Sequence, residues 1–328
     1  MRFYYLTLTL LLAFKLSAQT SDAIELSSEQ IALIQSQETT GVQTVLSELG
    51  IQIQDLQQIE KFTSEAVSRL INESSNTKMI SEVTSGITAS LAEIALANSV
   101  EPNYAIEYVS AGAAHGLIKA NFANMPRAIQ ALSKGSILGA IQFSKSNGFD
   151  ILKSSSAAAS GSLAGVIEAS NDLGLDIIRN VKASSSGLVI GTIISAEELN
   201  SAIFKTLTAT TEGIAEAAIE ASVKLNIDLI PQISSATIGS GENAVQTATT
   251  LNLSSRNTIE AIKEGLRKGS AKSLPGEGSN IRITIDPVED IDLVEVLEAL
   301  EASSPGTIPI TETPFMDDPT IRQVSPTN

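Results

Sequence analysis

The sequence predicts an all-α fold, an antiparallel helical-repeat stack, and three observations predict it. Seven glycines (Gly86, Gly112, Gly135, Gly161, Gly187, Gly213 and Gly239) stand at intervals of 26, 23, 26, 26, 26 and 26 residues. A fixed period in this range marks a repeat architecture. An apolar landmark recurs once in each unit, at Ile53, Ile80, Ile106, Ile129, Ile151, Ile177, Ile203 and Leu229. Short joints of one chemistry precede several of these landmarks, as in Asn147-Gly148-Phe149-Asp150.

The first residues read as a cleaved secretory signal. Arg2 supplies a basic start, Leu6 to Phe14 an apolar run, and Ala18 the small residue at a cleavage site, which places the leader at 1–18. The run is too short to span a bilayer. With no cysteine in 328 residues, a disulfide framework, a thiolate metal site and a cysteine nucleophile are all excluded. Export without disulfides fits a bacterial protein of the periplasm or cell exterior.

The repeat domain is assigned to 19–272. Its first element, Ser28 to Glu48, follows a capping-box pattern, Ser27-x-x-Gln30. Joints then recur at Leu49-Gly50-Ile51-Gln52, Asn147 to Asp150, Leu173-Gly174-Leu175-Asp176 and Leu225-Asn226-Ile227-Asp228. In each, Gly or Asn suits the left-handed residue that closes a helix, and the next apolar residue packs back on the last turn. Asp150, Asp176 and Asp228 are placed to cap the following helix, and Pro231 falls in a first turn where its missing N–H is harmless. Joints this short make consecutive helices antiparallel neighbours.

Between joints the apolar residues keep helical spacing. Ile177, Val181, Leu188 and Leu199 share one face, Ile178, Val189 and Ile193 another, and Ile203, Leu207, Ile214, Ala218 and Val223 repeat the pattern. Two apolar faces imply packing on both sides. With a last helix near Thr258 to Lys268, about nine helices are expected, with a unit near 26 residues. The one short interval is attributed to the connections at Asn124–Pro126 and Ser146–Asp150.

Four of the glycines open Gly-x-x-x-Gly pairs: Gly112/Gly116, Gly135/Gly139, Gly161/Gly165 and Gly187/Gly191. Interior glycine costs a helix about 1 kcal/mol against alanine, so four pairs forgo roughly 8 kcal/mol. Close backbone approach between helices offsets such a loss. The competing reading breaks each unit into two short helices at clusters such as Ser184 to Gly187. The unbroken register from Ile177 through Leu188 favours one long helix.

Beyond the repeats, 273–303 reads as a linker, a short strand and an acidic helix, and 304–328 as a tail too poor in apolar residues to fold alone. From Asp286 to Asn328 there are ten Asp or Glu against Arg322 alone, an acidic C-terminal extension.

Function is less legible. The formal charge of −16 becomes −18 once Arg2 and Lys15 leave with the signal, which argues against nucleic acid as a partner. His115, the single histidine, makes no usual zinc site and reads as a packed or surface residue. Glu216 and Glu220, one turn apart, read as a solvated helix face rather than an acid–base pair. Gly239 to Ala244 mimics a dinucleotide fingerprint without the preceding strand, and Gly265 to Ser273 mimics a phosphate loop with the wrong spacing. No catalytic, cofactor-binding or metal-ligating residue is assigned, and the chain is expected not to be an enzyme. The leading expectation is an exported structural or protein-interaction scaffold, whose partner is another exported protein or a second copy. The alternative is a membrane-active or lipid-binding helical protein using the small-residue pairs. Uncharged runs in the repeats such as Ala183 to Ala196 fall short of the roughly 20 residues that span a bilayer.

Overall fold

The computed structural model describes residues 24–273 except 37, 72–74, 199 and 201. The leader, the segment after Ser273 and the tail lie outside the described residues. Within them the chain forms eleven helices and no strand. They are α1 (Ser28–Gln35), α2 (Thr39–Glu48), α3 (Leu56–Leu70), α4 (Thr77–Ala97), α5 (Pro102–Lys119), α6 (Met125–Asn147), α7 (Ile151–Asp172), α8 (Ile177–Glu198), α9 (Ile203–Leu225), α10 (Leu229–Thr250) and α11 (Ser255–Ser273). The count exceeds nine partly because Ser28–Glu48 is two helices. They meet closely at Gly41, where a Cβ would stand 2.6 Å from the Leu33 carbonyl oxygen. Each repeat unit from α4 to α10 is one unbroken helix of 18–23 residues.

The joints have the chemistry their residues imply. The Ser27–Gln30 capping box makes both of its bonds. Gly148 (φ 67°) and Asn226 (φ 53°) take the left-handed conformation, and the N–H of the next residue returns to the helix, Phe149 to Ser144 O at 2.8 Å and Ile227 to Ser222 O at 3.0 Å. Asp150 accepts from the N–H of Leu152 at 3.0 Å, Asp176 from that of Arg179 at 3.0 Å, and Asp228 from that of Ile230 at 3.2 Å. Other joints close in the same way without the Gly-apolar-Asp pattern. At Ser99 and Asn252, each with φ 58°, the same return bond is made by Val100 and Leu253.

From α2 onward each helix packs most extensively against a helix two places along, and less against its sequence neighbours. The stack therefore has two layers, with α3, α5, α7, α9 and α11 in one and α4, α6, α8 and α10 in the other. The repeating unit is a helix pair, twice the sequence period. Within a layer, glycines set the spacing. A Cβ on Gly112 or Gly116 would stand closer than 3.0 Å to the carbonyl oxygens of Glu60 and Ser64, and one on Gly161 or Gly165 equally close to those of Glu107 and Ala111. Both members of each pair advance together along the neighbouring helix, so helices within a layer run parallel. Gly135/Gly139 meet Ser81/Ser85 in the same way, and Gly213 and Gly239 meet Ser156 and Lys182. The spared volume brings backbone against backbone.

The short interval has a different source from the one expected. In α5 to α10 the first ladder glycine stands ten positions after the first helical residue, from Pro102/Gly112 to Leu229/Gly239. The missing residues come from the C-terminal half of α5, which ends at Lys119, and not from the Ser146–Asp150 connection.

The apolar core lies between the layers, with Ile141, Leu163, Leu188, Ile193, Leu207 and Ile214 at most 1% exposed. Serine and threonine share it. Ser133 Oγ lies 3.1 Å from Ser162 Oγ and 2.9 Å from Ser184 Oγ, and Thr192 Oγ1 lies 2.9 Å from Thr210 Oγ1. Ile178 and Val223, expected on buried faces, are 40% and 61% exposed because each stands in a terminal turn, beyond the reach of the opposite layer.

Candidate interaction groove

A trough of about 1050 Å³ crosses the layer of α5, α7, α9 and α11. Its floor is the first half of α7, where Ser156, Ala157 and Ser160 are too short to rise between their neighbours, with Leu152 and Lys153 at the start of the same helix. The glycine contacts draw the walls close: Gly161 sits on Glu107 of α5, and Gly213 of α9 sits on Ser156 of α7. One wall carries Glu101, Tyr104 and Glu107, and the other Lys205, Glu212, Glu216 and Glu220. Beyond α9, Glu264, Lys268 and Lys272 of α11 complete the rim.

The electrostatics are concentrated where α5 and α9 face each other over Ser160. Ser160 Oγ donates to Glu107 Oε1 at 3.4 Å. Burial pushes the Glu107 carboxyl above the ordinary value of 4.5, and the nearby Glu220 and Glu216 carboxylates push the same way against the Ser160 bond and Lys272. Lys272 forms an ion pair with Glu216 and lies 4.0 Å from Glu212. Its ammonium is held above the ordinary 10.5, chiefly by the bond to Glu216. Ser273 Oγ donates to Glu220 at 3.4 Å. Glu216 is therefore not on a solvated helix face. Its side chain is 12% exposed, closed over by the last turn of α11, whereas Glu220 is exposed.

The other residues singled out from sequence are parts of the packing. His115 Nδ1 lies 3.1 Å from Glu60 Oε1, joining α5 to α3 beside Glu65 and Lys119. Gly239 to Ala244 lies inside α10, with Gly239 against the Lys182 carbonyl. Gly265 and Gly269, read as a mimic of a phosphate loop, lie within α11 and seat on α9 at Thr208 and Glu212. They are a fifth contact pair, which the spacing Gly265-x-x-x-Gly269 was sufficient to indicate. Among the described residues no three His, Asp or Glu side chains gather as a metal site would require, and no helix is long and apolar enough to cross a membrane.

The trough itself was missed in the sequence. The signal was present as three carboxylates at helical spacing on α9 and a run of small residues on α7, but its depth depends on neighbours about fifty residues away. No family model and no curated protein matches the chain.

Proposed function

We propose that this chain is an exported, non-enzymatic scaffold that binds another exported protein along the trough. The observation that supports this best is the trough's construction. It spans four helices, and its walls are fixed by backbone contacts that cost nothing further to hold when a partner docks. Repeat stacks characteristically present extended surfaces of this kind. The membrane-active alternative loses its motive, since the small-residue pairs are engaged with the chain's own carbonyls.

Ala157 is the position to test, because it lies on the floor and makes no polar bond there. Mature protein used as bait under native conditions is expected to recover a partner from the exported fraction. Ala157→Trp, which fills the trough, is expected to recover none while keeping its helical circular dichroism. Recovery of nothing by the unaltered protein, or full recovery by Ala157→Trp, would sink the proposal.

A further inference from the structure

We infer that residues 288–302, the acidic segment beyond α11, dock as a helix on the outer face of α10 and complete its layer. This docking is independent of any partner in the trough. The two layers end differently. Each ladder glycine seats on the carbonyl five residues before the ladder glycine two helices back, as Gly239 does on Lys182 and Gly265 on Thr208. Beside each seat, the residues two before and two after that earlier glycine face the incoming helix: Thr211 and Ala215 of α9 meet Gly265 and Gly269 of α11. In α11, the last of its layer, these two positions are Lys263 and Arg267, and Arg267 is 60% exposed. That is the polar outer face a stack needs where it stops. In α10 they are Thr237 and Gly241, both uncharged and buried, although no described helix follows α10 in its layer. Ser234, whose carbonyl is the next seat by the same count, and Ile230 at 47% exposure continue this uncharged face. By its chemistry α10 is an interior helix, and its layer is one helix short.

The segment beyond α11 matches that face in pattern, reach and charge. With Ala299 in the ladder position, Leu293, Val296 and Leu300 fall six before, three before and one after it. The same offsets from Gly265 hold Ile259, Ile262 and Leu266 of α11, each at most 3% exposed. Alanine in place of glycine holds this last helix slightly farther out than its predecessors. Helices of a layer run parallel, so the next one starts at the end where α11 finishes, and 274–287 is a longer connection than the 251–254 joint between α10 and α11. Such a tether keeps the segment at an effective concentration on the order of millimolar. From Glu289 to Glu301 it carries six acids and no base, and α11 beside it carries Arg256, Lys263, Arg267, Lys268 and Lys272 against Glu260 and Glu264. A second copy lacks the tether and brings a net charge of −16.

The test exploits the absence of cysteine. The equivalent pair, Gly213 over Ser156, brings a Cβ within 3.1 Å of the partner Cα, close enough for a disulfide. In the mature protein with Ser234→Cys and Ala299→Cys, a disulfide is expected to form within one chain under mild oxidant. It should form at least about tenfold faster than in Ala157→Cys with Ala299→Cys, which reports the trough instead. Adding Leu293→Asp and Leu300→Asp to the first pair is expected to slow it about tenfold, because both buried leucines are lost. Equal rates in the two pairs, no effect of the aspartates, or a disulfide joining two chains would each overturn the inference, the last because a second copy then covers α10. Hydrogen exchange on the mature chain without substitutions reads the docking even if a variant fails to fold. Amides of 291–300 are expected to be protected at least about tenfold more than those of 310–320, and equal protection overturns the docking.

Discussion

In the layer of α5, α7, α9 and α11 the surface above the glycine contacts opens into a trough lined by six glutamates and four lysines. In the layer of α4, α6, α8 and α10 the strands of contact are tied across by amides instead. Ser186 Oγ of α8 accepts from Gln130 Nε2 of α6 at 2.7 Å and from Asn243 Nδ2 of α10 at 2.6 Å. A hollow in this second layer, beside Gly86 and Ser90 of α4, holds about 340 Å³. Both layers use the same glycine-to-carbonyl seating, so helix spacing cannot account for the difference. What differs is the outward row of side chains: Ser186 of α8 ties both neighbouring helices at 2.7 and 2.6 Å, whereas Ser160 at the trough floor makes one long bond, to Glu107 of α5 at 3.4 Å. The contact line sets the scaffold, and the row beside it sets the surface.

The strongest way to break this comparison is to attack the shared element in each layer. Gly161→Leu with Gly165→Leu, and separately Gly187→Leu with Gly191→Leu, place branched side chains where carbonyl oxygens stand at or within 3.0 Å of a single Cβ. Each pair is expected to cost more than about 4 kcal/mol, enough to unfold most domains. Thermal melts followed by circular dichroism should show both variants failing alike. A large loss in one layer and a neutral result in the other would mean that the layers are not held by the same contact.

The glycine rule was legible because it is local in sequence. Ten positions from helix start to glycine, a left-handed closing residue and an Asp cap all fall within one unit. The partner of each glycine was not legible. Gly187 meets Gln130 and Gly112 meets Glu60, separations of 57 and 52 residues, and only the two-layer arrangement brings them together. The same distance hid the trough, whose carboxylates Glu107 and Glu216 sit on different helices with Ser160 of a third between them. Read along one helix, Glu216 is an ordinary polar residue. Read across the layer, it is one of the most enclosed acids described.

Removing the polar tie should separate the layers in the opposite sense. Ser186→Ala takes the acceptor from two partly buried amides and is expected to cost about 1–3 kcal/mol. Ser160→Ala, on the trough floor, loses only a long bond to Glu107 and is expected to stay within about 0.5 kcal/mol. Urea titrations of the two variants check this, and equal losses would show that the trough floor is tied as firmly as the other layer. A smaller effect tests the second kind of glycine in the chain. Gly148 has nothing within 4 Å of a Cβ, yet its φ is +67°. Gly148→Ala therefore meets conformational strain alone and should cost about 1 kcal/mol, well below the pairs at which backbone blocks the added atom.

A small effect that depends on pH is expected from Glu107→Gln. A carboxyl whose folded pKa stands above the ordinary 4.5 holds its proton more tightly folded than unfolded. The folded state then loses stability as pH rises from about 4.5 through the folded value, and the full cost persists at neutral pH. Glutamine carries no charge and is free of that cost. The variant should be more stable than the parent at pH 7, by less than about 1 kcal/mol because water reaches the trough and screens the charges. Below the ordinary value both chains carry a neutral side chain at this position, so the difference should close. Paired melts at pH 4 and pH 7 read it directly. A parent more stable than Glu107→Gln at neutral pH would mean that the carboxylate is stabilised by a cation, and the trough would then not be the carboxylate-rich surface that distinguishes this layer from the other.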